Sequence, residues 1–410
     1  LVDDGDALCA ASPHASASCI AGRCQLSCDD GFADCNGDTS DGCESPLDTR
    51  AHCGSCETQC PLTANCVEGE CVRERVIDLE VDTRHACVLL ESGRALCWGQ
   101  NDQGQLGTSS FDPPIHYEPV EVTGLSDAVD LAIGYSTSCA LARDRRVLCW
   151  GNQNLVGLLG DGSRRPRPVP GEVAGIDDAL EVGVVADHAC VLRSDHTVWC
   201  WGRNAGCFGG PHPETSGVPV PVEGVADARR LFVLYGGVCA ELADGRLWCW
   251  ADHLATSRFI AAPAVPQPTS LVRPWRVSGR LGAVCWIDSE HHSHCAGPAD
   301  YRGVLGEGGS LPEGVRAIDL DGGTSMSAVA TNDGRVFAWG SADWSLWPSP
   351  GLRPIQTPIA GATRVGAGDR VICAQVGPSS IRCLGDNEFG QLGDGTGISS
   401  WAPVAPVGLE

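Results

Sequence analysis

Six pairs of cysteines recur at one spacing: Cys87 and Cys97, Cys139 and Cys149, Cys190 and Cys200, Cys239 and Cys249, Cys285 and Cys295, and Cys373 and Cys383. Sulfur so placed can cross-link, bind metal or exchange disulfides. In HACVLLESGRALCWG the two cysteines are symmetric about Ser92, so an antiparallel hairpin sets them directly opposite each other. Opposed Cα atoms lie ~4.5–5.5 Å apart, within reach of a disulfide. The related stretch TSMSAVATNDGRVFAWG (324–340) has Ala328 and Ala338 at the two positions. Independent buried thiols would be lost singly, whereas half of a disulfide strands its partner when it goes. The joint replacement therefore points to six hairpin disulfides. Zinc needs four ligands converging on one point, which pairs on separate hairpins do not offer.

Other residue sets could bind or react. Asp34, Asn36 and Asp38 alternate, with Asp41 following, in the manner of hard-oxygen ligands for Ca²⁺. Glu44 falls one residue early for an EF-hand, and the competing reading is a solvated turn. CGSC (53–56) has redox spacing without a βαβ context, so structural cystine is expected. In SEHHSHC (289–295), His291 and His292 read as solvent-facing turn residues and His294 as a strand residue, too few to hold metal unaided. Cys207 is the thirteenth cysteine of residues 73–410, and residues 1–72 hold eleven. One bond between the two would pair every sulfur; the alternative is a thiol at 207. Phe111, Tyr117, Trp275, Tyr301, Trp344 and Trp347 sit in loop segments, where aromatics anchor protein or glycan partners.

Several functions are excluded or weakened. All 28 basic residues are arginine, so no phosphate-loop or Schiff-base lysine exists. A net charge of −24 repels a phosphate backbone and makes nucleic acid an unexpected partner. No apolar run approaches the ~20 residues of a transmembrane helix, although tethering through a removed N-terminal segment stays open. Twenty-four cysteines point away from a reducing cytosol to an extracellular, cell-surface or periplasmic location. No G-x-S-x-G or H-E-x-x-H motif occurs, leaving as the enzyme alternative a carbohydrate-active site of paired carboxylates ~5–10 Å apart.

These residues are positioned by a repeat. Marks at 97, 149, 200, 249, 295, 338 and 383 divide the chain into seven units, each a β-rich run, a hairpin and a glycine-rich loop. At WGQNDQGQLG (98–107) and LGDNEFGQLGDG (384–395) the sequence resembles the regulator of chromosome condensation repeat family, and its cystines place it nearer secreted bacterial members. The resemblance implies an all-β fold: a seven-bladed β-propeller at 73–410, with four-stranded blades. A disulfide-rich module with little regular secondary structure precedes it at 1–72; DCNGDTSDGCESPLDTRAHCGSC there looks like modules of secreted or surface-anchored bacterial proteins. The family implies structural roles for His85 and His188. Trp98, Trp150, Trp201 and Trp250 recur at one position and should pack between blades. WAPVAPVGLE resembles EPVEVTGLS (118–126) and is expected to pair into the first blade, closing the ring. The reading is a secreted or surface, non-enzymatic interaction protein whose loops bind a protein or glycan, with a guanine-nucleotide exchange factor-like regulator as the remaining alternative.

Overall fold

In a computed structural model, the structure describes residues 13–410 except 21–22, 39, 152–154, 205, 210–211, 236, 251–265, 281–282, 297–310, 324–325 and 341–353. The chain divides into two compact units, Leu1–Glu74 and Arg75–Glu410.

The first unit is stapled rather than packed. Short hairpins pair Ala15–Ile20 with Arg23–Cys28 and Ala64–Val67 with Glu70–Arg73. Cystines join Cys28 to Cys43, Cys35 to Cys56, Cys53 to Cys66 and Cys60 to Cys71. The two cysteines of CGSC thus bond elsewhere, not to each other. The side chains of Cys9, Cys19 and Cys24 lie outside the described residues.

The second unit is the expected seven-bladed propeller. Each blade's strands neighbour one another in chain order, from the inner strand near the axis outward. The inner strands are Val76–Val81, Ala128–Gly134, Ala179–Val184, Ala228–Leu234, Arg276–Arg280, Ala317–Gly322 and Arg364–Ala367. They open blades one to seven. Seven apolar clusters fill the seven interfaces between neighbouring blades, so the core is distributed around the ring. Trp98, Trp150, Trp201 and Trp250 are fully buried there. Their indole N–H groups donate to Gln391, Gln105, Leu158 and Cys207 carbonyls in the preceding blade's glycine-rich loop, at 2.7–2.9 Å. The glycine after Trp98 is required, because a Cβ on Gly99 would meet the Arg84 carbonyl at 2.4 Å.

All six hairpin cystines form, between cross-strand partners with Cα atoms 4.0–4.1 Å apart. Ala328 and Ala338 face each other in the same register in blade six. Both are buried, so the missing cystine is replaced by two small apolar side chains.

One expectation is corrected and one alternative is decided. The C-terminal strand Ser400–Val404 pairs with Ile381–Gly385 of blade seven, not with the first blade. It resembles 118–126 because both segments are the outer strand of their own blade. Ring closure instead uses side-on contacts, including the Val76 N–H to the Pro378 carbonyl at 2.7 Å. Of the two alternatives for Cys207 the thiol holds, since it belongs to no disulfide and is fully buried between blades three and four.

Changing both Ala328 and Ala338 to Cys should create a seventh blade-hairpin cystine spontaneously. Intact mass should fall by two hydrogens under non-reducing conditions, and stability should rise by about 2–3 kcal/mol. Two persistent thiols in that variant would contradict the equivalence of blade six with the rest.

Candidate functional site

The third residue of each blade's opening segment is charged: Asp78 in VIDL, Asp130 in AVDL, Glu181 in ALEV, Arg230 in ARRL, Arg276 in PWRV, Asp319 in AIDL and Arg364 in ATRV. In blades one, two, three, four and six a β-bulge immediately precedes it, the register slipping for example between Val76 and Asp78. A bulge leaves one residue unpaired and re-aims its neighbours. The charged groups accordingly gather at the axis, where Arg276 feels Asp319 and Asp321 of blade six and Glu80 and Asp78 of blade one. The bulged residues stand outside them. Val129 and Leu180 are 39% and 38% exposed, and Trp275 at the matching place in blade five is 53% exposed. The collar around the charged ring is apolar in five blades, at Ile77, Val129, Leu180, Trp275 and Ile318, and is interrupted by Arg229 and Thr363.

The ring acids tie blade to blade. Asp319 accepts the Arg276 Nε–H at 3.0 Å with one oxygen and the Val365 N–H at 3.0 Å with the other. Glu181 accepts the Leu231 N–H at 2.6 Å, and Asp321, two residues deeper, the Ala367 N–H at 2.9 Å. Asp78 takes Arg364 Nη1 at 2.8 Å and the Leu131 N–H. Despite that ion pair its pKa is raised, since burial outweighs the attraction. Burial, then the charges of Asp78 and Glu181, lifts Asp130 to about 8. Burial lifts Asp321 to about 7 and raises Glu80 well above the carboxylate range. Where the inner strands end, the Tyr235 hydroxyl of blade four donates to Asp82 of blade one, a bar across the axis. Burial holds Asp82 at about 6 against that hydrogen bond.

The mouth where the inner strands begin contains a pocket of about 500 Å³, lined by Arg230, Trp275, Arg276, Ile318, Asp319, Thr363 and Arg364. Three guanidinium groups face one carboxylate in this lining. Arg230 donates to the Pro274 and Trp275 carbonyls at 2.9 Å each, fixing the backbone that carries the indole. The Trp275 ring leans on His291, 5.6 Å between centroids. On the other face a pocket of about 340 Å³ includes Arg84, Tyr135, Asp187 and Arg203. Its arginines are occupied: Arg84 stacks 4.4 Å from Tyr135 and 4.8 Å from Phe389, and Arg203 pairs with Asp187 at 3.6 Å.

The structure disperses the sequence-derived candidates. Trp275 lies at the axial mouth, whereas Tyr117 is on the outer strand of blade one, packed over Gly390 and Gly397, and Phe111 is 41% exposed in the loop before that strand. Tyr301, Trp344 and Trp347 lie outside the described residues. In the first unit, Asp34 accepts the Gly37 N–H, Asn36 the Asp38 N–H and Asp38 the Ser40 N–H, while Asn36 donates to Asp41 at 3.0 Å. Among the described residues, the one group of potential metal-ligand atoms within 4.8 Å of one another is Cys53, Cys60 and Cys71, and all three are in cystines. His291 is not a solvent-facing turn residue: its Nδ1 binds the Ala317 carbonyl at 3.0 Å. His294 binds Asp288 at 2.7 Å and stacks on Trp286.

His85 is buried, held neutral by a pKa pushed down to about 3, and bonded through Nε2 to Ser138 at 3.2 Å. At His188 burial opposes the charge, yet the neighbouring Cys207 sulfur and Asp187 lift the pKa to about 10. Cysteine, histidine and aspartate suit nucleophilic chemistry by type, but a sulfur with no exposed surface meets no substrate. The ring was missed because acids and arginines share its one position; the Val/Ala-x-charged-apolar opening of the segments was the available signal.

The regulator of chromosome condensation (RCC1) repeat model matches residues 92–141, and a second model of that repeat matches 128–157 and 181–208. Residues 92–157 and 181–208 thus carry RCC1-type repeats. Human probable E3 ubiquitin-protein ligase HERC6 is 29% identical over 136 residues, 32% of this chain and 13% of the ligase. Human regulator of chromosome condensation is 28% identical over 140 residues, 32% of each chain. The chain thus matches less than a third of either relative's length. Prp20p of Saccharomyces cerevisiae, solved with a study of its binding to Gsp1p and histones, superposes with a TM-score of 0.65 at 16% identity, over 81% of this chain and 87% of Prp20p. The CRINKLY ectodomain of the Arabidopsis thaliana receptor kinase ACR4 superposes at 0.50 with 20% identity, over 76% of this chain and 96% of its own. At these identities the RCC1 likeness to solved structures establishes the fold alone.

The buried acids set a pH dependence. A carboxyl whose folded pKa is raised stabilises most below its unfolded value of about 3.9, and that stability is lost as pH rises through the folded value. With Asp130 near 8 and Asp321 near 7, the window runs from about 4 to about 8. Thermal unfolding should therefore occur at a higher temperature at about pH 5 than at about pH 8. Asp130→Asn should flatten the difference, chiefly by raising the midpoint at the alkaline end. An unchanged profile in that variant would refute the assignment.

Proposed function

We propose that the chain is a non-enzymatic interaction protein working in an oxidising compartment, outside the cell, at its surface or in a periplasm, and that its propeller engages a protein partner at the axial mouth. The observation that carries this reading is the concentration at one exposed face of an apolar collar around arginines and a tryptophan. Arg and Trp dominate binding hot spots when a dry rim surrounds them. Six hairpin cystines support the compartment, since such bonds persist where thiols are not kept reduced. Binding of Gsp1p and histones by Prp20p, and use of a related propeller as a receptor-kinase ectodomain, are precedents for a propeller as a docking platform. A glycan ligand is the second reading, favoured by the exposed indole of Trp275. The exchange-factor reading requires an intracellular address, which the cystines oppose. Carbohydrate hydrolysis would need two uncommitted carboxylates; Asp78, Glu181 and Asp319 are each bound to the next blade's backbone, so that reading would fall to Asp130 and Glu80, both desolvated by burial at the axis.

Replacing Val129 and Leu180 by Asp puts two charges on the collar and should abolish capture of an extracellular-fraction partner by the immobilised protein, with the unfolding temperature little changed. Retention of binding by that variant would remove the collar from the interface. For Asp34, Asn36, Asp38 and Asp41 the proposal is calcium, supported by oxygen ligands at alternate positions in a loop curled by its own hydrogen bonds. Chelation should then lower the melting temperature of the intact protein, and an identical melt with and without chelator would dismiss the ion.

A further inference from the structure

We propose that the axial pocket is a carboxylate receptor: the partner inserts one Asp or Glu side chain between Arg276 and Arg364, with Trp275 covering the aliphatic part of the inserted chain. The inference rests on the interaction reading above and names its chemistry.

Four observations converge on it. First, the charge is out of character for the molecule. The chain carries 52 acidic against 28 basic residues, yet the pocket lining holds three arginines and a single acid. Second, the arginines retain capacity. Arg276 contacts Asp319 through Nε at 3.0 Å, and Arg364 contacts Asp78 through Nη1 at 2.8 Å. A guanidinium has five N–H donors, so each keeps donors for a planar two-oxygen acceptor. Their side chains remain 46% and 38% exposed. Third, the site is held in place before any ligand arrives. Arg230 clamps the backbone of Trp275, and the ring acids anchor the arginines, so little conformational freedom remains to be lost on binding. Fourth, the ring acid outside the reach of these ion pairs adds little negative charge to the mouth. Asp130 sits in blade two, away from the lining, and burial favours its neutral form.

A protein source is favoured over an acidic sugar by what surrounds the pocket. Val129, Leu180 and Ile318 extend the apolar surface beyond Trp275 in three other blades, a breadth that suits aliphatic neighbours of an inserted Glu better than a single sugar ring. A polyanion is disfavoured, because long-range repulsion by the net charge of −24 grows with each added negative charge. One carboxylate flanked by apolar residues is the ligand that fits both constraints.

The test uses the full chain with ¹⁵N-labelled arginine, observing Nε–Hε signals while titrating three probes: acetyl-Leu-Glu-Leu-amide, its Gln counterpart and glucuronate. The Glu peptide should shift the Arg276 and Arg364 signals and bind at least about tenfold more tightly than the Gln peptide. Arg276→Gln and Arg364→Gln should each erase that preference. Because either change uncovers a ring acid, Trp275→Ala serves as the variant that leaves the ring intact, and it should weaken the Glu peptide several-fold without changing the unfolding temperature. Equal binding of Glu and Gln peptides overturns the carboxylate assignment. Preferential binding of glucuronate overturns the protein source. Unperturbed Arg276 and Arg364 signals with every probe overturn the pocket, while partner capture that is lost in the Val129/Leu180 variant would leave the wider interaction reading standing.

Discussion

The propeller depends on a side-chain carboxylate reaching the backbone amide of the next blade. Blades are separate sheets, and nothing in their internal hydrogen bonding fixes their spacing around an axis. Apolar packing between them is strong but non-directional. Direction comes from Asp78, Glu181, Asp319 and Asp321, which accept amide protons from the neighbouring inner strand, and from indoles that donate to the preceding loop. Buried acceptors of this kind are costly to leave unmet, so a blade displaced by even a fraction of a strand spacing pays for several at once. Blade five illustrates the tolerance of the scheme. Pro274 there has no N–H to give the preceding hairpin, and the bond moves back to Arg273, which donates to Gly245 at 2.7 Å.

The same position that assembles the ring also creates its recognition surface. Where the residue at this position is acidic in blades one, three and six, it is consumed by the next blade; where it is arginine, a long chain with surplus donors is left at the mouth. Arginines occur in blades four, five and seven, so the positive charge outnumbers the single acid Asp319 of blade six in one sector, while the other acids of this position lie in blades one to three. Segregation, rather than net charge, gives the face its polarity. Arg276 and Arg364 are therefore structural and receptive at once, with one nitrogen committed inward.

Much of the architecture was legible in the residues. The cysteine pairs could be read because a three-residue turn converts sequence symmetry into cross-strand register, and Ala328 with Ala338 supplied an internal control. Trp98 and its counterparts were readable as interface residues because one residue type recurs at one position. The charged ring escaped for the opposite reason: Asp, Glu and Arg alternate there, and in five of the seven blades a bulge, which pattern alone does not reveal, turns them inward. The aromatic candidates were chosen by loop membership, a criterion blind to radius, so Trp275 at the axis was grouped with Tyr117 on the outer edge. The C-terminal strand was assigned to the wrong blade because likeness between two segments shows that they play the same part, not that they share a sheet. His291 was misplaced because turn sequences do not show that a ring in the turn can bond the adjoining blade.

The Tyr235–Asp82 hydrogen bond ties blade four to blade one where the inner strands end. These blades are not neighbours in the ring, so the bond is a spoke and not a seam, and loosening it would release opposite sides of the ring from each other while every adjacent pair stayed packed.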